Sequence, residues 1–513
     1  MTATIRNLWD SFCNVAEARA ESPALIFKDR TVSFSELTTL AEKCAGWLHG
    51  RGLLRGQIIA IQLPKRLETY ALWLACLRQG TPYVFMDPKN PPERTERILG
   101  RVGPSVFFTT TDYKSGHCDT VSLPSQEAGA EWLNGLNANA HCLPARVHGL
   151  DPAYIMFTSG STGEPKGAVI PHQGVLSLMR WGATLADLKS VRFSNINPLH
   201  FDNSVFDLFC GLMNGAALVP VETGMESNPA AWVRQLRAGG ANVIFAVPTL
   251  FQTLSKLNLL KPENLPDARL FVFGGEGFPI AELRKFHVRF AAQARLLNVY
   301  GPTETSCICS SLEIDDAALD SAEGSFVSLG RMHADFDHAV LDEEGAEVEA
   351  GAVGELWIGG TNTGLGYYAN PEETERRFRQ DPRQSKFRSI WYRSGDLVRE
   401  DDNGLLWFQG RADNQVKVRG HRIELEEVDL VLERMDGIAR AVASVVSSAD
   451  GPEIRAAFVA ERKLDPVDVR AHCSKLLPSY MQPARVVQMD SLPTNANGKV
   501  DRKAVQKMLS DTP

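Results

Sequence analysis

The pattern of apolar and polar positions changes in character along this chain. In the first part, short β-branched or aromatic runs such as "GQIIAIQLP", "PSVFFTT" and "ANVIFAVPT" alternate with helix-like segments such as "FSELTTLAEKCAGWLHG". Short, continuously apolar runs are typical of strands that are buried on both faces. Their alternation with helical segments predicts parallel sheets covered by helices, an α/β fold.

The pattern then divides the rest of the chain into two smaller parts. From about Gly324 to Gly410, closely spaced strand-and-turn units contain Asp-Glu-Glu-Gly and Asp-Asn-Gly turns, which favour hairpins and predict a small β-rich subdomain. After "GRAD", a charge-dense segment combines helix-like "ELEEVDLVLERM" with strand-like "ARAVASVV". We therefore expect a large N-terminal domain over residues 1–412 and a small, mobile α+β C-terminal domain over 413–513, with the boundary near Asp413.

Composition excludes several classes of protein. The 513 residues are 44% hydrophobic, enough for sizeable cores, and 54 basic against 62 acidic residues give a net charge of -8. This balance argues against nucleic acid as a partner. The nine cysteines form no CxxC pair, the first residues lack a secretion signal, and no apolar run reaches about 18 residues. We expect a cytoplasmic protein with reduced thiols and no membrane contact.

The stretch "TSGSTGEPKG", from Thr158 to Gly167, directly follows the apolar run "AYIMF". Glycines let the backbone N–H groups approach an anion closely, and Lys166 adds a positive charge. The spacing differs from the P-loop GxxxxGK[ST], because three residues separate Gly163 from Gly167 and the lysine precedes the last glycine. The sequence therefore predicts a phosphate-binding loop of another type.

Further strings follow in order: "FDNSVFDLF", "NVYGPTE", "GELWIGG", "YRSGDL", "GRADNQVKVRGHRIELEEVD" and "NANGKVDR". With the glycine-rich loop, they resemble the motifs of adenylate-forming enzymes, specifically the amino-acid adenylation domains of nonribosomal peptide synthetases and the D-alanine carrier-protein ligases. The resemblance covers nearly the whole chain. It implies that ATP and a carboxylate form an acyl-AMP with release of pyrophosphate, after which the acyl group passes to a thiol.

The resemblance implies an ATP site in which the glycine-rich loop holds the β- and γ-phosphates. Its residues there are Thr158, Ser159, Gly160, Ser161, Thr162, Gly163 and Lys166. The other ATP-binding residues implied are Gly275, Glu276, Asn298, Val299, Tyr300, Gly301, Thr303, Asp396, Arg411 and Lys499. Tyr300 would stack on adenine, Thr303 would bond the α-phosphate, and Asp396 would accept hydrogen bonds from both ribose hydroxyls.

Three residues are implied as catalytic: Lys499, Thr303 and Glu304. Lys499 would reach both the substrate carboxylate and the α-phosphate, and Glu304 would bind Mg²⁺, a cation that prefers oxygen ligands. Asp413 is implied as the hinge about which the C-terminal domain rotates between the two half-reactions, and Gly420 would then border the thiol channel.

In amino-acid-activating relatives, the aspartate of the FDxS motif pairs with the substrate's ammonium, and this position is Asp202 here. A carboxylate in an apolar pocket is costly without a cation, so Asp202 favours an amino acid; a helix N-cap is the alternative role. Alignment by motif gives the other lining residues as Asn203, Phe206, Phe245, Val272, Gly274, Val299, Cys307 and Ile308. Phe206 and Phe245 would fill space while Gly274 leaves some, which predicts a small or medium apolar side chain.

The acceptor follows from what the chain lacks. It ends at "KMLSDTP" without a recognisable phosphopantetheine attachment site, so we expect a separate carrier protein to supply the phosphopantetheine thiol. An acyl-CoA ligase acting on a carboxylic acid is the alternative, against which Asp202 argues. Which amino acid, its stereochemistry, the carrier and the oligomeric state stay open.

Overall fold

The computed structural model describes residues 7–137, 142–160, 164–185, 190–221, 228–448, 451–494 and 500–511. The chain forms two compact units. The first comprises Met1–Pro88, Val102–Met156 and Gly167–Ala412, and the second comprises Lys89–Arg101, Phe157–Lys166 and Asp413–Pro513.

Helices account for many of the segments whose apolar positions recur at helical spacing. They are α1 (Leu8–Ala18), α2 (Phe34–Gly50), α3 (Leu67–Gln79), α4 (Pro92–Val102), α5 (Gln126–Gly135), α6 (His172–Gly182), α7 (Asn203–Val205), α8 (Pro229–Gly239), α9 (Pro248–Lys256), α10 (Ile280–Phe290), α11 (Asp316–Asp320), α12 (Pro371–Arg377), α13 (Leu425–Glu433), α14 (Pro466–Leu476) and α15 (Arg502–Ser510). A π-helical turn over Phe206–Gly211 continues α7, and 3-10 turns occupy Leu212–Asn214, Thr303–Thr305 and Ser479–Met481.

The strands are short in the first part of the chain and longer towards its end. They are β1 (Pro23–Ile26), β2 (Thr31–Ser33), β3 (Ile59–Gln62), β4 (Tyr83–Phe85), β5 (Val106–Thr109), β6 (Asp119–Ser122), β7 (Pro152–Thr158), β8 (Lys166–Pro171), β9 (Arg192–Asn195), β10 (Ala217–Pro220), β11 (Val243–Ala246), β12 (Leu270–Gly274), β13 (Arg295–Tyr300), β14 (Ser310–Glu313), β15 (Arg331–Met332), β16 (Phe336–Leu341), β17 (Val353–Gly360), β18 (Phe378–Gln380), β19 (Ile390–Glu400), β20 (Leu406–Arg411), β21 (Gln415–Val418), β22 (His421–Glu424), β23 (Ile438–Ser448), β24 (Gly451–Ala460) and β25 (Arg485–Gln488).

Two mostly parallel sheets organise the first part of the chain, as the apolar pattern predicts. One has the order β15-β14-β13-β12-β11-β9-β10-β1-β2 in the described residues, parallel from β13 to β1 and antiparallel at its edges. The other has the order β6-β5-β3-β4-β7-β8. Strands such as β11 ("VIFA") and β12 ("LFVFG") are buried along their whole length, which is why they carry no polar alternation.

Aromatic side chains fill the cores of the first unit. Trp73 of α3 meets Phe209 of the π-helical turn edge-on, with ring centroids 5.2 Å apart. Phe271 of β12 contacts Phe286 and Phe290 of α10 at 5.0 and 4.7 Å. Such ring pairs stabilise the fold by more than the burial of their apolar area alone would. The helical segment over Asn203–Gly211, which carries the predicted substrate residues Asn203 and Phe206, therefore packs into this core.

The predicted β-rich subdomain is an antiparallel sheet, β16-β17-β19-β18, with β20 paired to β19. The Asp-Asn-Gly turn lies between β19 and β20, where the carboxylate of Asp401 accepts hydrogen bonds from the N–H groups of Asn403 and Leu405. The Asp-Glu-Glu-Gly turn follows β16, and the N–H of Asp342 donates to the carbonyl of Ala346. Both hairpin predictions are confirmed.

The second unit contains the α+β elements predicted from the C-terminal sequence. β21 and β22 form a hairpin, and β23-β24-β25 form a separate sheet. Val428, Val431 and Leu432 of α13 pack with Phe458 of β24 in its core. The predicted helix "ELEEVDLVLERM" and strand "ARAVASVV" correspond to α13 and β23.

Two properties of the described residues bear on the predictions from composition. None of the described helices combines the length and the apolar character that a membrane crossing needs. The nine cysteines are free thiols, and Cys44, Cys76, Cys210, Cys307, Cys309 and Cys473 are buried.

Candidate functional site

The carboxyl ends of four parallel strands lie side by side in the first unit. β13, β12, β11 and β9 are consecutive in the sheet, and Gly274 at the end of β12 pairs in register with Val299 of β13. The predicted substrate residues Phe245, Val272 and Gly274 come from β11 and β12 near these ends. In open α/β sheets, ligands bind outside the carboxyl ends of the strands. The fold therefore brings these sequence-distant residues to one edge.

Asp202 lies at the start of the helical segment "FDNSVFDLF". It occupies the N-cap position of α7, yet its side chain makes no capping hydrogen bond. Instead, Thr303 Oγ1 donates to Asp202 Oδ2 at 2.5 Å. The capping role considered from the sequence is therefore wrong. The structure joins the two motifs through an ionisable carboxylate, although 101 residues separate them.

The segment "NVYGPTE" ends β13 and reverses the chain direction. Thr303–Thr305 form a 3-10 turn, after which Ser306 and Cys307 adopt positive φ angles of 64° and 82°. A Cβ atom at Gly301 would approach the Cys307 carbonyl oxygen to 2.2 Å. Glycine at this position is thus required by the close return of the chain.

Glu304 is fully buried within this turn. Its Oε1 accepts a hydrogen bond from the Tyr367 hydroxyl at 2.6 Å, and its carbonyl oxygen accepts from the Gly364 N–H at 2.8 Å. Among the residues that the structure describes, no group of three or more His, Cys, Asp or Glu side chains could hold a metal ion by itself. One hard carboxylate fits Mg²⁺ binding of the kind in which substrate phosphates supply the remaining ligands.

Tyr300, Asp396 and Arg411 form a buried hydrogen-bonded group. The Tyr300 hydroxyl donates to Asp396 Oδ2 at 2.5 Å, and Arg411 Nη1 donates to Asp396 Oδ1 at 2.5 Å. Arg411 Nη2 also donates to the Ser394 carbonyl at 3.2 Å. Arg411 and Asp396 thus form a largely buried salt bridge, and both carboxylate oxygens of Asp396 are hydrogen-bonded.

The predicted side-chain pocket contains closely packed aromatic rings. Phe206 and Phe245 meet edge to face with centroids 5.1 Å apart, and both are buried. Val272, Val299, Cys307 and Ile308 are buried as well. A Cβ added to Gly274 would lie 2.4 Å from the Val299 carbonyl oxygen and 2.8 Å from Val299 Cγ2. Glycine at position 274 is thus required by the close packing of β12 on β13, and its role in leaving space for a substrate stays a prediction.

Cys307 and Tyr154 show how strongly the surroundings of Asp202 are desolvated. Burial raises the pKa of the Cys307 thiol well above its usual value, and the charge of Asp202 raises it further, so this cysteine is not an activated nucleophile. Burial likewise raises the pKa of Tyr154, with further contributions from Tyr83, Cys307 and Asp202. The Tyr154 hydroxyl has no hydrogen-bond partner in the described part of the chain. No motif singled out Tyr154.

Residues predicted around adenine have mainly structural contacts. Glu276 Oε1 accepts a hydrogen bond from the Thr249 N–H at 2.7 Å, near the start of α9. Gly275 has a φ of 86°, and Asn203 Nδ2 lies 3.7 Å from the position of a Cβ at Gly275. Asn298 Nδ2 donates to the Ser328 carbonyl at 2.9 Å. The first bond joins the residues after β12 to α9, and the last joins β13 to the residues that precede β15.

The glycine-rich loop belongs to the second unit and is met there by two carboxylates. The Gly160 N–H donates to Glu427 Oε2 at 3.3 Å, and Lys166 Nζ lies 3.6 Å from Glu424 Oε1. Ser159 Oγ accepts a hydrogen bond from the Glu424 N–H at 3.0 Å. The oxygens of a phosphate would accept from the same donors, the Gly160 N–H and the Lys166 ammonium. The sequence motifs gave no role to Glu424 or Glu427.

The described ranges do not include every predicted site residue. Ser161, Thr162, Gly163 and Lys499 lie outside the described residues. Thr158 is described, and its hydroxyl is buried without a hydrogen-bond partner in the described ranges. At Asp413, where the second unit resumes, Oδ1 accepts a hydrogen bond from the Gln415 N–H at 3.3 Å.

Comparison with known proteins gives matches across the chain. The family model described as "AMP-binding enzyme" matches residues 12–368. Tyrocidine synthase 3 of Brevibacillus parabrevis is 32% identical over 509 residues, which cover 98% of this chain and 8% of that protein. The chain thus spans less than a tenth of the length of that relative.

Solved structures show the same fold. Holo-PA1221, described as an NRPS protein containing adenylation and PCP domains bound to a vinylsulfonamide inhibitor, is 25% identical with a TM-score of 0.84, covering 98% of this chain and 84% of that one. The o-succinylbenzoate CoA synthetase MenE of Bacillus subtilis is 21% identical, with a TM-score of 0.85 and 98% coverage of both chains, and shows the fold alone. The ordered motifs, the strand-end site and these matches together lead to one conclusion: the chain belongs to the AMP-binding family of adenylate-forming enzymes and is of the nonribosomal peptide synthetase adenylation-domain type.

Proposed function

We propose that this enzyme activates a small or medium apolar amino acid as its aminoacyl-AMP and transfers it to the phosphopantetheine thiol of a separate carrier protein. The observation that carries the proposal is the 2.5 Å hydrogen bond from Thr303 to Asp202. In an α-amino acid, the ammonium and the carboxylate are attached to the same carbon. The carboxylate that binds the ammonium must therefore lie beside the residue that contacts the α-phosphate. Asp202 and Thr303 are such a neighbouring pair.

Asp202 distinguishes this proposal from its alternative. Removing a carboxylate from water is costly, and a cation must compensate for that cost. Thr303 donates one neutral hydroxyl to Asp202, and a substrate ammonium would add a positive charge and further hydrogen bonds. A des-amino acid, as an acyl-CoA ligase would use, offers no such cation.

The first half-reaction would join the carboxylate of the amino acid to the α-phosphate of ATP. A carboxylate oxygen of the amino acid attacks the α-phosphorus of ATP, the bond from that phosphorus to the bridging oxygen breaks, and pyrophosphate leaves. Thr303 would orient the α-phosphate, and Glu304 would hold Mg²⁺, which offsets part of the triphosphate charge. Lys499 would bridge the carboxylate and the α-phosphate, and the loop at Gly160 and Lys166 would hold the leaving pyrophosphate.

In the second half-reaction, the thiol would release its proton to solvent and its sulfur would attack the acyl carbon. The bond from that carbon to the phosphate oxygen would break, and AMP would leave with this oxygen. The domain over 413–513 would turn about Asp413 between the two steps, so that Lys499 serves the first and the segment around Gly420 serves the second. Relatives described as containing adenylation and PCP domains support a carrier protein as the acceptor.

Pyrophosphate exchange with wild type and Asp202→Ala tests the substrate class. Wild type should prefer small apolar amino acids over their des-amino counterparts. Asp202→Ala should lower kcat/KM for the preferred amino acid by about a hundredfold or more, as expected when a buried charge pair loses one partner. The kcat/KM for the des-amino acid should change by less than about threefold, and this substrate is the internal control.

Acceptor choice is measured with the same adenylate. Holo carrier proteins should be loaded with much higher kcat/KM than coenzyme A. A wild type that prefers des-amino acids and loads coenzyme A would establish the acyl-CoA ligase alternative and reject the proposal.

A further inference from the structure

Asp207 carries a fully buried carboxyl group that no motif assigned to the reaction. It lies on the π-helical turn, one residue after Phe206. Its Oδ2 accepts hydrogen bonds from Asn195 Nδ2 at 3.1 Å and Asn197 Nδ2 at 3.3 Å. Its Oδ1 has no hydrogen-bond partner among the described residues. Burying a carboxyl group with only one of its two oxygens hydrogen-bonded destabilises the folded state, and such a group in a native protein calls for an explanation.

The donors to Asp207 are themselves held by buried side chains. The Tyr70 hydroxyl donates to Asn195 Oδ1 at 2.7 Å. Lys65 Nζ donates to the carbonyls of Asn195 and Ile196 at 2.6 and 2.7 Å. Asp207, Asn195, Asn197, Lys65 and Tyr70 together are called the Asp207 cluster. It fixes the carboxyl end of β9 against the helix that begins at Asp202.

The Asp207 cluster also reaches the neighbouring strand. Asn197 Nδ2, which donates to Asp207, also donates to the Phe245 carbonyl of β11 at 3.0 Å. Asp207 is thus bonded through one amide group to the backbone of Phe245, and it is covalently adjacent to Phe206. The rings of these two phenylalanines meet at 5.1 Å. One carboxylate therefore connects the backbones of both aromatic residues.

We propose that Asp207 is a positioning residue for substrate selectivity: through Asn197, it fixes the separation of Phe206 and Phe245 and so the size of the side chain that the pocket accepts. This inference rests on the proposed function for the identity of the pocket. The turn that carries Phe206 is π-helical, a rare conformation that is frequent at functional sites. Asp207 itself does not touch the substrate.

The test compares Asp207→Asn and Asp207→Ala in pyrophosphate exchange with glycine, alanine, valine and phenylalanine, and with their des-amino counterparts. Asp207→Ala should raise KM for the preferred small substrate at least tenfold and reduce the preference for it over phenylalanine at least tenfold, while KM for ATP stays within twofold. Asp207→Asn should retain most of the discrimination, because its amide oxygen still accepts from Asn195 and Asn197.

Glu68→Gln is the matched control, since Glu68 is another buried acid, on α3 beside Gly129 of α5, and its Oε1 has no hydrogen-bond partner within the described ranges. It should alter thermal stability without altering discrimination. If Asp207→Ala does not fold, Asn197→Ala removes the bond to Phe245 and should lose discrimination in the same way.

Two results separate failure of this inference from failure of the proposed function. Unchanged size discrimination in Asp207→Ala and Asn197→Ala would overturn the inference, as would a rise in KM for ATP equal to the rise in KM for the amino acid. A wild-type preference for des-amino acids would instead overturn the amino-acid assignment, and the size series in des-amino acids would still test the role of Asp207.

Discussion

Single residues in this enzyme are constrained by neighbours that are distant in sequence. Gly274 illustrates the point: its missing side chain makes room for Val299 of the adjacent strand. Glu304 is a buried carboxylate whose partner, Tyr367, comes 63 residues later. Its carboxylate would be costly to bury without that hydroxyl. The motif residues are therefore held by side chains outside the motifs.

Gly274→Ala should destabilise the protein by about 1–3 kcal/mol, as overpacking of a core usually does. The cause is the 2.4 Å approach of the new Cβ to the Val299 carbonyl oxygen. The midpoint of urea unfolding at constant slope measures the change.

Gly50→Ala is the control, because Gly50 ends helix α2 and a Cβ there would meet nothing within 4 Å. It should be neutral or stabilise by up to about 1 kcal/mol. Equal midpoints for Gly274→Ala and wild type would contradict the close packing of β12 on β13.

At the scale of elements, the hairpin of β21 and β22 shows a conflict between residue type and backbone. Val418 pairs with His421, which leaves a two-residue turn in which Arg419 and Gly420 have φ angles of 52° and 79°. Two positive φ angles define a type I′ turn, for which Asn-Gly is preferred. Gly420 suits its position, whereas Arg419 adopts a conformation unfavourable for a side chain without a special local bond.

Arg419→Asn should stabilise this hairpin locally by about 0.5–1 kcal/mol, since asparagine tolerates the left-handed region better. Amide hydrogen exchange of the whole protein, read in the fragment that covers Gln415–Glu424, should slow by about two- to fivefold. This factor corresponds to the stated free energy. Arg419→Ala removes the same charge without favouring the turn, so it should give no protection. Equal protection in both variants would show that charge, rather than turn conformation, is responsible.

At the scale of the whole molecule, buried ionisable groups make stability depend on pH in opposite directions. Burial lowers the pKa of His172 from 6.5 to about 4, and its Nδ1 accepts a hydrogen bond from the Leu8 N–H at 3.2 Å. Burial raises the pKa of Asp207 from 3.8 to about 8, although the bonds from Asn195 and the charge of Lys65 oppose the rise. In the unfolded chain, both groups return to their ordinary values.

The signs of the two contributions differ. Between about pH 4 and 6.5, the unfolded chain binds a proton at His172 that the folded protein does not, so this stability is lost as pH falls; the full contribution is up to about 3 kcal/mol. Between about pH 4 and 8, the folded protein keeps a proton at Asp207 that the unfolded chain releases, so stability falls as pH rises.

Melting temperatures from pH 4.5 to 8 check this prediction. The difference between wild type and His172→Gln should grow from pH 4.5 to 6.5, and that between wild type and Asp207→Asn should shrink from pH 5 to 8. His117→Gln, the same substitution at an exposed histidine, is the control. Parallel curves for all variants would reject both assignments.

The sequence by itself determined the family, the α/β class and the elements. Short apolar runs and helical spacing are local properties, so strands such as β5 and β11 and helices such as α2 follow from neighbouring residues alone. The motifs are local too, and they predict that Asp202, Thr303 and Asp396 act in one reaction.

Tertiary structure alone decided which side chains meet. It bonds Thr303 to Asp202, joins Tyr300 and Arg411 on Asp396, and ties Asp207 to Phe245 through Asn197. Such contacts join residues far apart in the chain, and their register depends on how strands pair and helices pack. No local pattern contains that information, because burial is a property of the folded core as a whole.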